Sequence, residues 1–483
     1  MYKEFAKDNI YRNYVGGDWV IADDSKLIEI RSPIDNSLIG KVSAMNKAEV
    51  DKAIRIAKES ITEWKKIPVS EKAEMLYTAA KILEEQKDEI VEILIREVAK
   101  DRKSAVSEVL RTADLIRFTA DTAKNIKGEY IEGDLFPGYK KNKVAVVKRE
   151  PLGVILAISP FNYPINLAAS KIAPAIIAGN TVVLKPATQG SISALHLVKV
   201  FEMAGIPKGV LNTITGRGSE IGDYVVTHPE ISMVNFTGST EVGYEIASKV
   251  KMIPLLMELG GKDPAIVLKD ADLEKTASQI VAGAFSYSGQ RCTAVKRILV
   301  EDEVADELVE LLKNKIEKLK VGSPLEDDVI IVPLIDDKSA DRIEGFIKES
   351  RDMGAKLITG GKRDGKIIYP TLFDNVTLDM RLAWEEPFGP ILPVIRVKDK
   401  DEALKIANES EYGLQASVFT RSIDDAYYLA NNLEVGTVQI NNKTERGPDN
   451  YPFLGIKASG IGTQGIGESI MSMTRPKVIV LNI

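Results

Sequence analysis

The spacing of apolar residues in the first third of the chain predicts amphipathic helices. Apolar side chains recur three and four residues apart, which places them on one face of a helix. The segments with this spacing are residues 46–66, 70–98 and 104–124. The first third of the chain is therefore predicted to be helical.

The pattern changes after Val144, where short apolar runs begin to alternate with helical segments. Unbroken runs of Val, Ile and Leu between amphipathic helices indicate parallel sheets that are covered on both faces. A first alternating region ends near Met257 and has predicted strands at 144–151, 153–160, 181–186, 209–216 and 231–238. A second region, from Ala265 to about Ile440, has predicted strands at 265–268, 295–301, 391–397 and 437–441.

Size and composition narrow the class of protein. A chain of 483 residues is too long for one ordinary core, so two or three domains are expected. A composition of 44% apolar and 28% charged residues is typical of a soluble globular protein. The net charge of −6 argues against nucleic acid as a partner. The charged N-terminal run is not a signal peptide, and no apolar run predicts a membrane span. We expect a cytoplasmic protein that binds neither nucleic acid nor a membrane.

The chain contains one cysteine, Cys292, and two histidines, His196 and His228. A single thiol excludes an intrachain disulfide, a CxxC redox pair and a multi-cysteine zinc site, so no metal is expected. A lone cysteine is either a small buried hydrophobe or a nucleophile. Its small and polar neighbours in SGQRCTA suit a tight turn and favour the nucleophile. Both histidines suit packing or surface positions, so a carboxylate is the expected base.

Two predicted strands end at residues that suit ligand binding. Pro160 stops the first strand after Ser159, and Asn162 follows at the carboxyl edge of the sheet, where ligands bind in open α/β folds. The Asn162 amide can donate to an oxyanion, with an ordinary turn residue as the alternative. Lys185 ends the second strand before Pro186. Its cation suits a phosphate or a ribose, or it reaches solvent.

Two further strand ends carry candidate chemistry. Gly238 ends one strand and Ser239 begins a helix, so a pyrophosphate could approach the helix N-terminus. This segment preserves only part of the GxGxxG fingerprint. Glu258 ends another strand and precedes two glycines. Desolvation there would raise its pKa toward that of a general base, whereas a salt-bridged glutamate is the alternative.

Seven motifs occur in the order and spacing of the aldehyde dehydrogenase superfamily: PFN, LKP, FTGS, ELGGKDP, GQRCTA, EEPFGP and PFLGIKASG. The chain resembles this superfamily over nearly its whole length. The resemblance implies a Rossmann-like cofactor domain with a parallel sheet, an α/β catalytic domain and a small β oligomerisation arm. The expected ranges are 1–125 and 148–258 for the cofactor domain, 259–460 for the catalytic domain, and 126–147 with 461–483 for the arm. The arm implies dimers or tetramers, and a homotetramer is expected.

Longer segments resemble the NADP-dependent, non-phosphorylating glyceraldehyde-3-phosphate dehydrogenases, among them ISPFNYPINLAASKIAPA, SYSGQRCTAVKR and QINNKTERGPDNYPFLG. Lactaldehyde and semialdehyde dehydrogenases share much of this pattern, so a dehydrogenase of another small aldehyde is the alternative. A coenzyme-A-acylating relative would generally lack Glu258. A non-catalytic structural relative is a remote alternative, since it would be expected to lose nucleophile or cofactor contacts.

The resemblance implies a catalytic role for three residues. Cys292 would attack the aldehyde as a thiolate, favoured by Arg291 and the nicotinamide ring. Asn162 and the Cys292 backbone N–H would hold the oxyanion. Glu258 would activate the water that hydrolyses the thioester.

The resemblance also implies a cofactor site and a substrate site. Many relatives that use NAD carry a Glu at position 188, where this chain has Thr188. Without a carboxylate to repel a 2′-phosphate, NADP is expected, and NAD is the weaker alternative. The expected cofactor residues are Ser159, Phe161, Lys185, Thr188, Gly218, Gly238, Ser239, Leu259, Glu386 and Phe388. A phosphorylated aldehyde would be bound by Arg111, Tyr163, Arg291, Thr293 and Arg446.

Overall fold

The N-terminal part of the fold combines short strands with four long helices. A computed structural model describes residues 5–22 and 26–483. Six strands that the helical prediction omitted come first: β1 (Ala6–Lys7), β2 (Ile10–Tyr11), β3 (Asn13–Val15), β4 (Asp18–Val20), β5 (Leu27–Arg31) and β6 (Leu38–Ser43). The helices are α1 (Lys47–Trp64), α2 (Val69–Glu85), α3 (Lys87–Val98) and α4 (Arg102–Ala123). The segment 70–98 thus forms two helices, divided at Gln86.

The first alternating region builds a six-stranded sheet, in the order β11-β10-β9-β12-β13-β25. All its neighbouring pairs are parallel except β13 and β25. The elements in this region are β7 (Glu129–Glu132), β8 (Lys143–Pro151), β9 (Val154–Ser159), α5 (Asn166–Ile177), β10 (Thr181–Pro186), α6 (Ser191–Met203), β11 (Leu211–Thr213), α7 (Asp223–Val226), β12 (Ile231–Thr237), α8 (Thr240–Lys249) and β13 (Leu255–Glu258).

The second alternating region builds a seven-stranded sheet, in the order β16-β19-β20-β15-β14-β22-β23. Only β16 is antiparallel to its neighbour. The elements are β14 (Pro264–Val267), α9 (Leu273–Phe285), β15 (Arg297–Glu301), α10 (Asp302–Ile316), α11 (Asp337–Asp352), β16 (Lys356–Thr359), β17 (Arg363–Asp364), β18 (Ile367–Ile368), β19 (Thr371–Asp374), α12 (Arg381–Trp384), β20 (Ile391–Val397), α13 (Lys400–Asn408), β21 (Tyr412–Gly413), β22 (Gln415–Phe419), α14 (Ile423–Asn432) and β23 (Thr437–Ile440). The predicted α/β class with parallel sheets is confirmed.

The chain returns to the first sheet before it forms a separate antiparallel arm. Its last elements are β24 (Ile456–Lys457), β25 (Gly460–Ile461), α15 (Ile466–Ser472) and β26 (Thr474–Asn482). The arm is a three-stranded sheet in the order β26-β8-β7. The predicted domain ranges stay a prediction, and two elements make contacts outside their predicted domain. Strand β8 continues to Pro151 within the arm sheet, and α15 packs on α4 and α5 as well as on the arm strand β26.

A buried ion pair between Lys100 and Glu108 connects the helical layer to the loops that carry the candidate site. Both side chains have no exposed surface. The Glu108 carboxylate accepts hydrogen bonds from the backbone N–H of Ile165, at 3.0 Å, and of Asn166, at 3.1 Å. The Lys100 ammonium lies 3.7 Å from the centre of the Tyr163 ring. The pair therefore fixes both sides of the loop between β9 and α5, which contains Asn162.

Among the described residues, no helix combines the length and the apolar character that a membrane crossing requires.

Candidate active site

The candidate catalytic residues lie where loops of the two large sheets meet. Asn162 follows β9, Glu258 ends β13, and Cys292 lies in the turn between α9 and β15. The Asn162 side-chain amide donates a 3.0 Å hydrogen bond to the carbonyl oxygen of Gln290, two residues before the thiol. This contact brings a residue of the first sheet to the cysteine turn of the second. The geometry suits an oxyanion site built from the Asn162 amide and the Cys292 backbone N–H.

The thiol of Cys292 lies in a surrounding that keeps it protonated. Burial raises its pKa to about 11. The nearby positive charge of Lys296 opposes this shift, whereas the carboxylates of Glu258, Glu386 and Asp263 add to it. Without a further change in its surroundings, the group is a thiol rather than the thiolate that attacks carbonyls.

The structure corrects the expected position of the Arg291 side chain. Its guanidinium donates to the carbonyl oxygen of Gly283, and the residue is buried. The positive charge that acts on the thiol belongs instead to Lys296, four residues after Cys292. The position of Arg291 next to Cys292 in the sequence did not determine where its side chain points. The proposed part of Arg291 in phosphate binding stays a prediction and requires this guanidinium to leave Gly283.

Glu258 is buried, and one of its two carboxylate oxygens is unoccupied by the protein. Oε2 accepts a 2.7 Å hydrogen bond from Arg446. Oε1 has no hydrogen-bond partner among the described residues. Burial raises the pKa of Glu258, and the charges of Arg446 and Lys171 oppose that rise. A carboxylate with a raised pKa and a free oxygen can accept a proton from water.

Lys171 is a buried cation near Glu258 that sequence reasoning missed. Its ammonium donates a 2.7 Å hydrogen bond to the Thr237 hydroxyl at the end of β12. Burial lowers its pKa to about 7, and the Glu258 charge counteracts that shift. One signal in the sequence pointed to it, because it is the only charged residue within the mostly apolar helix α5.

The expected cofactor residues line the carboxyl edge of the first sheet. Lys185 is the last residue but one of β10, which includes Pro186 rather than ending before it. It is buried and has no hydrogen-bond or ion-pair partner among the described residues, and burial lowers its pKa to about 8. The Ser159 hydroxyl, at the end of the neighbouring strand β9, is also buried without a partner within that part of the chain. A buried cation and a buried hydroxyl that both lack partners fit a polar ligand such as a ribose or a phosphate. Thr188 follows Lys185 on the loop before α6 and is half-buried.

The start of α8 and the EEPFGP loop complete this edge. The Ser239 hydroxyl accepts from the Val242 N–H and caps α8, directly after Gly238. The rings of Phe161 and Phe388 meet edge to face, with centroids 6.0 Å apart. Two other expected residues differ in exposure, because Leu259 is buried and Gly218 lies at the surface.

Glu386 is held by backbone and by a lysine. Its Oε1 accepts from the Gly261 N–H at 3.2 Å and pairs with Lys296 at 3.0 Å. A Cβ at Gly260 would stand 2.3 Å from Glu386 Oε2, so a larger residue there would displace the carboxylate from this position. Together these residues fit the ribose end of a dinucleotide.

The expected substrate residues form two groups. Arg111 donates to both oxygens of Asp449, at 2.6 and 2.7 Å. Arg446 lies 3.5 Å from the same carboxylate, so Asp449 connects the two arginines and Arg446 connects them to Glu258. Sequence reasoning missed Asp449, although it lies three residues after Arg446.

Tyr163 and Thr293 lie beside the catalytic loops. The Tyr163 ring meets Tyr287 edge to face at 6.5 Å, and the Thr293 carbonyl accepts a 2.9 Å hydrogen bond from Thr444. The roles of all these residues in binding stay predictions. Within residues 5–22 and 26–483, no group of three or more His, Cys, Asp or Glu side chains is placed to hold a metal ion.

Comparison with known proteins identifies the class. Residues 19–479 match the sequence profile of the aldehyde dehydrogenase family. The chain belongs to the aldehyde dehydrogenase family, as its seven motifs predicted.

Individual relatives are more specific. The chain is 54% identical to the NADP-dependent glyceraldehyde-3-phosphate dehydrogenase of Streptococcus equinus, over 98% of this chain and 99% of that protein. It is 49% identical to the protein of the same name from Pisum sativum, over 99% and 97%. Among solved structures, the NADP-dependent glyceraldehyde-3-phosphate dehydrogenase from Bacillus halodurans C-125, complexed with NADP, has a TM-score of 0.96 and 56% identity, covering 98% of this chain and 99% of that one.

The raised pKa of Cys292 predicts a steep pH dependence of alkylation. Iodoacetamide reacts with the thiolate, whose fraction rises about tenfold per pH unit below the pKa. In the cofactor-free protein the rate should rise in this way from about pH 7 to about pH 10, since the pKa is about 11. The single cysteine makes mass spectrometry of the intact chain sufficient. A plateau near the pKa of free cysteine, measured in parallel, would contradict the burial argument.

Proposed function

We propose that the chain oxidises glyceraldehyde 3-phosphate to 3-phosphoglycerate with NADP⁺ and water, without consuming inorganic phosphate. The observation that carries this proposal is the buried Glu258, whose Oε1 has no partner among the described residues and can accept a proton from water. The names of the relatives from Streptococcus equinus and Pisum sativum support the substrate and the cofactor.

In the first covalent step the Cys292 thiol loses its proton to water, and the thiolate sulfur then forms a bond with the aldehyde carbon. The carbonyl electron pair moves to oxygen, which the Asn162 amide and the Cys292 N–H would stabilise as an oxyanion. One amide hydrogen of Asn162 binds the Gln290 carbonyl and orients the group. The other amide hydrogen is left to donate to the substrate.

The second step converts the thiohemiacetal to an acyl-enzyme. Bound NADP⁺ would supply the nicotinamide ring that accepts the hydride leaving the aldehyde carbon. The product held by Cys292 is a thioester, because the oxyanion electrons re-form the carbonyl as the hydride departs. Glu386 would hold the nicotinamide ribose, and Phe388 would pack beside the ring.

The third step is hydrolysis. Glu258 accepts a proton from water as the water oxygen bonds to the acyl carbon, and the carbon–sulfur bond then breaks. Cys292 leaves as a thiolate and the acid departs. Because water supplies the attacking oxygen, inorganic phosphate has no part in the sequence.

The choice of NADP rests on charge. Lys185 is a buried cation without a partner among the described residues, and Thr188 offers a hydroxyl where a carboxylate would repel a phosphate. The loss of repulsion does not exclude NAD, so NAD is expected to bind more weakly.

The substrate phosphate would be bound by the arginines that Asp449 connects. Arg111 and Arg446 provide the guanidinium groups, and Tyr163 lies on the neighbouring catalytic loop. A phosphate there would compete with Asp449 for their hydrogen bonds. Thr293 and Arg291 would contribute from the cysteine turn.

The direct test is NADPH formation from glyceraldehyde 3-phosphate in buffer that contains no inorganic phosphate. The native chain should turn over, and Cys292→Ser should lose activity because no thioester forms. Glu258→Gln should keep a rapid first turnover and then slow by about 10²- to 10⁴-fold, because hydrolysis lacks its base. Rapid-mixing absorbance at the NADPH band separates the two phases.

Two outcomes would contradict the proposal. A requirement for inorganic phosphate would replace hydrolysis by phosphorolysis. Equal steady-state and first-turnover loss in Glu258→Gln would remove the carboxylate from the hydrolytic step.

Arg446→Ala tests the phosphate site. Because Arg446 also binds Glu258, kcat should fall for every aldehyde. The phosphate contribution is the additional loss, about 10-fold or more in kcat/KM, for glyceraldehyde 3-phosphate relative to unphosphorylated glyceraldehyde. Arg421→Ala, an exposed arginine outside the site, should leave the ratio unchanged. Equal losses of kcat/KM on both aldehydes would remove Arg446 from phosphate binding.

We further propose that the arm builds a homotetramer. Its outer surface exposes large apolar side chains, among them Leu135 at 77% and Phe136 at 68%, which an assembly would cover. Native protein should sediment as four chains, and Phe136→Asp should shift it to smaller species. Tyr427→Asp, which alters an exposed aromatic residue on α14, should not. A native monomer in sedimentation equilibrium would overturn this proposal.

A cytoplasmic location is also proposed, and the single cysteine, which cannot form an intrachain disulfide, supports it. Fractionation of cells that contain the protein would test this, and recovery outside the cytoplasmic fraction would contradict it.

A further inference from the structure

Lys296 lies between two parts of the site, the Glu386 carboxylate and the backbone of Cys292. Its side chain is only 2% exposed. The ammonium pairs with Glu386 Oε1 at 3.0 Å and also donates to the carbonyl oxygen of Cys292. One buried cation thus touches the carboxylate proposed to hold the ribose and the backbone of the nucleophile.

The contact with the Cys292 carbonyl orients the nucleophile. Lys296 lies directly before β15, and its backbone N–H is anchored on the Asp263 carbonyl at 3.0 Å. Lys296 therefore holds the turn 292–296 at both ends, because its backbone N–H binds Asp263 and its ammonium binds the Cys292 carbonyl. Because the peptide at Cys292 is fixed, the orientations of the Cys292 side chain and of its backbone N–H are fixed as well.

The charge of Lys296 also acts on the thiol itself. Among the charges near Cys292, Lys296 favours the thiolate, whereas Glu258, Glu386 and Asp263 oppose it. Glu386 both repels the thiolate and neutralises the cation that attracts it. If the Glu386 carboxylate accepts hydrogen bonds from another group, its ion pair with Lys296 is weakened. The positive charge of Lys296 then stabilises the Cys292 thiolate more strongly.

We propose that Lys296 is a positioning residue that couples occupation of Glu386 to the ionisation and orientation of Cys292. This inference deepens the proposed function and rests on it, because it takes Glu386 as the ribose ligand. Sugar hydroxyls donating to Glu386 would leave the Lys296 charge to the cysteine turn. The thiol would therefore become reactive when cofactor is bound.

The test is the rate of Cys292 alkylation by iodoacetamide across pH, with and without NADP⁺ and with no aldehyde present. Because the chain has one cysteine, the measured thiol is always Cys292. Lys296→Met should slow alkylation about tenfold or more at about pH 8, since each unit of raised pKa costs tenfold in thiolate. NADP⁺ should accelerate alkylation of the native protein and have little effect on this variant.

Two further variants make the result specific. Lys72→Met removes a buried lysine of α2 whose pKa is lowered by burial alone, and it should behave as the native protein does. Lys296→Gln keeps a hydrogen-bond donor without the charge. It should preserve the fold if Lys296→Met does not, while still losing the acceleration by NADP⁺. Circular dichroism and an NADP⁺ binding titration confirm that each variant is folded and binds.

Three outcomes would overturn the proposal. Alkylation profiles of Lys296→Met or Lys296→Gln that superimpose on the native profile would show that the lysine does not act on the thiol. An equal shift in Lys72→Met would assign the effect to the loss of any buried lysine rather than to Lys296. Retained acceleration by NADP⁺ in folded Lys296 variants would break the coupling. None of these readouts uses aldehyde, so failure of the proposed substrate oxidation would be seen separately.

Discussion

The candidate site depends on the buried ion pair between Lys100 and Glu108, which lies outside it. Neither side chain is exposed, and the Glu108 carboxylate also accepts hydrogen bonds from the loop that it supports. Glu108 binds the N-terminal N–H groups of α5, and Lys100 lies over the rings of Tyr163 and Tyr287. Since breaking a buried pair leaves an uncompensated charge, both loops are fixed by a strong penalty. The loop with Asn162 and the turn leading to Cys292 thus share one support.

The charges within the site form a connected series. Arg111 binds Asp449, Asp449 lies beside Arg446, and Arg446 binds Glu258. Because neighbours alternate in sign, buried groups that would each be costly alone compensate one another. The same series connects the proposed phosphate site to the hydrolytic base. A substrate phosphate that binds Arg446 would alter the field at the hydrolytic carboxylate.

Sequence patterns predicted the strands and motifs, but not the side-chain directions. Residues 391–397 form β20 as predicted, since an unbroken apolar run reports burial directly. The six N-terminal strands were missed because most have only two or three residues, too few to show a period. The direction of Arg291 and the contact of Lys296 with Glu386, ninety positions away, depend on packing between distant segments. Periodicity carries no information on such contacts, whereas the family motifs placed Cys292, Glu258 and Asn162 on the loops that meet.

The thiol is protonated first because it is buried, and the charge of the hydrolytic base Glu258 adds to that effect. With a pKa of about 11, only about one Cys292 in 10⁴ is ionised near pH 7. Glu258 must stand close enough to direct water at the acyl group, and its charge then repels a thiolate at the same place. In a site that hydrolyses thioesters, the charge of the base therefore disfavours the thiolate form of the nucleophile. A cation that responds to the occupation of Glu386, as the position of Lys296 allows, resolves this conflict, because it would favour the thiolate only when a hydride acceptor is bound.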